Sequence, residues 1–204
     1  MKVTFGSLVV AAGVCGLLSF AFLATALGTE YWYIIIEISP LNASEDLSSN
    51  SGLWSISEGG RMLVDSNDSF TADYSKYSET ELILHSAIVV LLPLSLVLLL
   101  FGGICGLVSS LARSPVLLTR TAAYFFICSL LTLCGVTLYI IYSHLALAMT
   151  KWLVGPEGLS YIHTSFGWSL GLAWLSYGLE MITGVLLLIA ARMAKLKHSS
   201  PTVA

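Results

Sequence analysis

The sequence predicts an all-α membrane protein: a four-transmembrane-helix bundle carrying a small extracellular antiparallel β-sheet. Three observations predict it: four long apolar runs, a charge asymmetry between the segments joining them, and an aromatic, β-branched stretch directly after the first run. Of 204 residues, 56% are hydrophobic and only 10% charged, and mean hydropathy is +0.87. A soluble domain carries about 25% charged residues. This composition excludes a soluble enzyme, a disordered chain and a nucleic-acid binder with a basic face. The chain reads as a single tetraspan domain over 1–204, with the lipid bilayer as its first partner.

Crossing a bilayer takes about 20 apolar residues at about 1.5 Å rise each. Four stretches satisfy this, at about 5–27, 86–112, 121–143 and 166–191. Amides inside lipid must pair within their own segment, so each is expected to be a helix. Pro93 falls inside the second and is expected to kink it or to free a carbonyl for a neighbouring helix. Ala24-Thr25-Ala26 resembles a signal-peptide cleavage site. The apolar run before it is nearly twice a usual signal core, however, and cleavage would leave only three helices.

Orientation follows from lysine and arginine. With both termini inside, the cytoplasmic loop 113–120 and the two tails hold Lys2, Arg113, Arg120, Arg192, Lys195 and Lys197, and no acid. The loop 28–85 carries ten acids against only Arg61 and Lys76, a net of minus eight. The positive-inside rule places it, with loop 144–165, outside, in a multi-pass protein of the plasma membrane with cytoplasmic termini. Two glycosylation sequons, at Asn42 and Asn67, fall in the same acidic loop and agree with that assignment.

Within this loop the run from Tyr31 to Ile38 reads as a strand, being aromatic and β-branched. Asn50-Ser51-Gly52 reads as a turn into a second strand, Leu53 to Ser57. Glu58-Gly59-Gly60 reads as another turn, before Arg61 to Asp65. Leu159 to Thr164 offers a further strand beside the fourth helix. These pieces suit a small antiparallel sheet standing on the helix ends.

An aromatic pair after the first helix (Tyr31-Trp32), then Gly52-Leu53-Trp54, then three more helices resembles the claudin and peripheral-myelin-protein superfamily. That group includes the epithelial membrane proteins and the calcium-channel gamma subunits. Runs such as Val90-Leu91-Leu92-Pro93-Leu94 and Ser165-Phe166-Gly167-Trp168-Ser169 place the resemblance nearest the gamma-subunit-like branch. It spans essentially the whole chain. It implies a left-handed four-helix bundle, an extracellular sheet whose motif is Trp32, Gly52, Leu53 and Trp54, and a role in adhesion, membrane organisation or channel modulation. In that superfamily two cysteines after the Gly-Leu-Trp strand form a disulfide. Here Ser57 stands in place of the first, and the short turn before Met62 holds no second. Losing a short-loop disulfide removes about 2–4 kcal/mol, so the outer sheet is expected to be more mobile than in relatives, with packing of Trp54 and Trp32, and glycans, left to compensate.

The remaining candidates for chemistry are few. Cys15, Cys105, Cys128 and Cys134 all lie in the expected spans. The last two are not spaced as a redox pair and read as small apolar residues. A tetraspanin would put its large cysteine-rich loop between the third and fourth helices, and a connexin needs cysteine triplets, so neither fits. Glu180 is the one acid deep in a span, where a carboxylate must be neutral or paired. At helical spacing it belongs to a stripe of Ser165, Ser169, Ala173, Ser176, Glu180, Thr183 and Gly184 that is expected to face the interior, with Thr132 and Ser19 as partners by depth. A proton or ion relay would need a second titratable group there, and His85 and His144 sit near the outer boundary instead. Gly102 with Gly106, Gly167 with Gly171, and Ala12 with Gly16 are small-residue pairs suited to helix packing more than to dimerisation. No metal-ligand spacing, phosphate loop or hydrolase motif appears, so no cofactor and no enzymatic activity are expected. Thr202-Val203-Ala204 resembles a PDZ-type ligand with a poor final anchor. The expected partners are a membrane protein or a second copy of the chain, and no nucleic acid.

Overall fold

A computed structural model describes residues 4–37, 47–54, 79–158 and 162–199. In chain order the elements are α1 (Phe5–Gly28), β1 (Tyr33–Glu37), β2 (Leu47–Ser51), α2 (Glu79–Ala112), α3 (Pro115–Gly158), β3 (Ile162–Phe166) and α4 (Trp168–Ser199). All four helices are long and apolar enough to cross a membrane, with qualifying stretches Phe5–Gly28, Ile83–Ala112, Pro115–Leu145 and Trp168–Leu196.

The helix ends differ from the span estimates, most at α3, which runs on through much of the expected loop 144–165 to Gly158. Hydrocarbon thickness limits only the part of a helix inside lipid; hydrogen bonding can carry the helix beyond it. Likewise α2 begins at Glu79 rather than near 86, and α4 continues to Ser199. Phe166 belongs to β3, not to α4. Pro93 lies within α2, which runs through it.

The sheet has order β2-β1-β3, both pairs antiparallel. Tyr33 pairs with Ser51 on one side and with Phe166 on the other. Two strand assignments need correction. The second strand is Leu47–Ser51, so Asn50 and Ser51 are paired with Ile34 and Tyr33 rather than turning; Leu53 and Trp54 follow it in a bend. The third overlaps the expected stretch but is shifted to Ile162–Phe166. Segments 55–57 and 61–65 lie outside the described residues, as do both sequons and Ser57.

The sheet stands where α1 and α3 end and α2 and α4 begin; the opposite end holds the short Arg113-Ser114 turn joining α2 to α3. Arg113 takes φ 47° there, a left-handed conformation that is unfavourable for a residue with a Cβ. Pro115 opens α3 at the first helical position, where its missing N–H leaves no bond unmade. Around the bundle α1 packs on α4, α4 on α3 and α3 on α2, while the α1–α2 seam is the thinnest. Among the described residues the interior holds two apolar clusters and, between them, buried polar side chains. One cluster, at the sheet end, holds Leu23, Trp32, Leu53, Ile88, Leu92, Val136 and Tyr139; the other, toward the turn, holds Ala12, Leu118, Phe125 and Leu187.

Candidate functional site

Two constellations stand out, one joining the sheet to α1 and one in the bundle interior. The first solves a problem every helix has: its last four carbonyls have no partner within the helix. At the end of α1 three side chains supply donors. Thr29 Oγ1 donates to Thr25 O at 2.8 Å, Trp32 Nε1 to Ala26 O at 2.7 Å, and Trp54 Nε1 to Leu27 O at 2.8 Å. Trp32 is fully buried and lies against Tyr139 of α3, ring centroids 4.7 Å apart. Leu53 is buried in the same cluster, while Trp54 keeps 55% of its surface exposed.

Glycine is required at two places around this cap because backbones approach closely. A Cβ on Gly52 would stand 2.9 Å from Glu30 Cα. One on Gly167 would fall on the carbonyl oxygen of Tyr31, because Gly167 N donates to Trp32 O at 3.0 Å and Ser169 N to Tyr31 O at 3.3 Å. Thr29 and Ser169 complete the link through their hydroxyls, 2.8 Å apart. The four motif residues are thus brought together with the start of α4. Outside them lies an aromatic surface: exposed Tyr31 stacks on exposed Trp168 at 5.7 Å, and exposed Phe166 meets Tyr33 edge-on at 5.9 Å.

The second constellation joins α1, α3 and α4. Thr132 Oγ1 lies 3.1 and 3.2 Å from the two carboxyl oxygens of Glu180, and Ser176 Oγ lies 3.3 Å from Oε1. Ser19 Oγ donates to Ser176 O at 3.1 Å, and Ser176 Oγ donates to Ser19 O at 2.9 Å. Thr132 Oγ1 also lies 3.2 Å from Cys128 O. Ser19, Thr132, Ser176 and Glu180 all have zero exposure. Each hydroxyl carries one proton, so three hydroxyl protons face three backbone carbonyls and a carboxyl group. Of the expected stripe on α4, residues 169 through 184 are buried as read, but Ser165 lies in β3 and is exposed.

The small-residue pairs divide. Gly102 receives the Tyr124 ring, 2.9 Å from where a Cβ would sit, and Gly106 faces Thr121 at 3.8 Å. Ala12 is buried, and Gly16 faces Thr183 and Phe125. The pair Gly167 and Gly171 needs correction. Gly167 precedes α4 and packs on backbone, and nothing lies within 4 Å of a Cβ on Gly171, so the spacing there marks no helix contact among the described residues. Two further knuckles belong to no small-residue pair: Gly135, whose Cβ would meet Leu92 at 2.7 Å, and Gly184 of the interior stripe, packed under the Phe126 ring at 3.1 Å. Neither has a second glycine four residues away, so pairwise spacing could not find them.

All four cysteines are free, and among the described residues no group of histidines, cysteines and acids could hold a metal ion. His85 lies beside Tyr142 and exposed His144 beside Phe166.

Four apolar helices, a small sheet after the first, and a tryptophan cap formed by Trp32 and the Gly52-Leu53-Trp54 run agree with a comparison of the sequence with known families. The model of the PMP-22/EMP/MP20/Claudin tight-junction family matches residues 17–189, from the middle of α1 almost to the end of α4. The chain is a multi-pass membrane protein belonging to the PMP-22/EMP/MP20/Claudin family.

Proposed function

We propose that this protein is a non-enzymatic plasma-membrane glycoprotein that organises or modulates a membrane protein complex, in the manner of an auxiliary subunit. The observation that carries the reading is the closed junction around Glu180. Its four polar side chains bond to one another and to backbone carbonyls and lie between two apolar clusters, which among the described residues supports a structural junction rather than a path for an ion or solute. What the chain presents to others is its outside: the lipid-facing helix flanks and the aromatic surface of Tyr31, Trp168, Phe166 and Trp54. The base-rich turn and tail support cytoplasmic termini, with the sheet and the acidic loop outside and glycans on Asn42 and Asn67.

In this reading Glu180 is structural and keeps its proton. Ser19 and Ser176 give their protons to each other's backbone carbonyls, and Thr132 can give its own to Cys128 O. The carboxyl group then acts as donor to Thr132, which removes the expense of a charge in hydrocarbon.

Claudin-like contact between cells is the second reading, supported by the exposed aromatic sheet end and the family itself. The test is isolation from native tissue in mild detergent, with partners identified and quantified. One other membrane protein recovered in fixed stoichiometry supports the auxiliary role. Recovery of copies of this chain alone, bridging differently tagged cell populations, overturns it in favour of contact. Ion flux through liposomes holding the pure protein would overturn both.

A further inference from the structure

We propose that the α1–α2 seam is a binding site for one anionic phospholipid, an acyl chain lying in the seam and the headgroup meeting the basic end of the bundle. The seam holds a groove of about 310 Å³ in the half of the bundle toward the Arg113-Ser114 turn. Its floor is buried, formed by Ala12, Leu99, Phe125 and Leu187, whereas Leu17 and Leu107 on its rim are 73% and 67% exposed. It is therefore a groove open sideways, into the hydrocarbon of the bilayer. Its two hydroxyls are already committed to their own helices, Ser110 to Gly106 O at 2.7 Å and Thr183 to Leu179 O at 2.8 Å, so the occupant must be apolar.

The groove follows α1 from Val9 to Phe20, about 16 Å at 1.5 Å per residue. Charge selects the headgroup. Ser110, the last groove residue of α2, is three residues from exposed Arg113. Exposed Arg120, Arg192 and Lys195 lie at the same end, where the described residues include no acid. Bases at this depth attract anionic headgroups.

The groove can be filled without disturbing its walls, because a Cβ on Gly13 or on Gly103 meets nothing within 4 Å and both line it. The full-length protein would be equilibrated in mixed micelles with equal phosphatidylserine and phosphatidylcholine, and retained lipid counted by native mass spectrometry. One lipid per chain is expected, phosphatidylserine preferred. Gly103→Leu and, on the other helix, Gly13→Leu should lower retention about tenfold, while Val90→Leu on an exposed flank should not. Arg113→Gln combined with Arg120→Gln should keep the lipid but erase the headgroup preference. Retention unchanged in both glycine variants, no retained lipid in the unaltered chain, an unchanged preference in the arginine variant, or a dimer dissolved by Gly103→Leu would each overturn the proposal. The last would assign the groove to a second copy.

Discussion

Glu180→Gln isolates the protonation state of the buried junction. Glutamine has nearly the shape of the neutral acid and offers an amide N–H to Thr132 in place of the acid's O–H. Hydrogen bonds between transmembrane helices average about 0.6 kcal/mol and reach about 1.7. Swapping one donor for another should therefore change stability by less than about 1 kcal/mol. Glu180→Leu removes the hydrogen-bond contacts to Thr132 and Ser176 and leaves Thr132 without the donor it accepts from, so about 1–2 kcal/mol should be lost. The assay is reversible unfolding in mixed micelles titrated with dodecyl sulfate, followed by helix content, with cell-surface abundance as a second readout. If the group were instead a carboxylate secured by these donors, glutamine would break a tight set of charge-assisted bonds. A loss above about 3 kcal/mol for Glu180→Gln, or a leucine variant no worse than the glutamine one, would refute the donor accounting.

The remaining expectations concern packing, capping and orientation. Gly135→Ala drives a methyl into Leu92 and should cost about 1–3 kcal/mol by overpacking. Gly171→Ala meets open space and should be neutral or stabilising by up to about 1 kcal/mol, both read in the same unfolding titration. Trp32→Phe removes the donor to Ala26 O and buried indole surface; a loss of about 2–4 kcal/mol is expected from an unmet carbonyl plus a cavity. Trp54→Phe, half-exposed, should lose about 1 kcal/mol. Enzymatic deglycosylation should sharpen and lower the gel band of the cell-expressed protein, and Asn42→Gln with Asn67→Gln should abolish that change; no shift in the unaltered protein would count against placing the acidic loop outside.

Hydropathy located all four helices because a bilayer demands length and apolarity together. The run Tyr33 to Glu37 was legible as a strand through its three consecutive isoleucines. Its neighbour Leu47–Ser51 was not: a leucine followed by serines and an asparagine has little strand preference, and it is extended because β1 presents a free edge to pair with. The motif Gly52-Leu53-Trp54 was visible as residues, whereas its purpose, an indole N–H reaching Leu27 O from 27 positions away, needed coordinates. Depth matching brought Ser19, Thr132 and Glu180 to one level because rise per residue is fixed in a helix. The Ser19–Ser176 reciprocal pair depended on rotation about the helix axes, which a level cannot give. Helix ends were misjudged for the reason seen at α3, where residues 146–158 continue the helix past the apolar window.

The closing turn of α1 has a mechanical corollary. Its final carbonyls are tied by indole groups to the stretch that leads into β1 and to the stretch that leaves β2, and β1 is in turn stitched to β3 and the first residues of α4. A pull on the sheet therefore has no slack to take up. It arrives as a torque on two transmembrane rods at once, and those two are the pair most extensively packed on each other. A neighbour that grips the sheet would tilt them as a single lever.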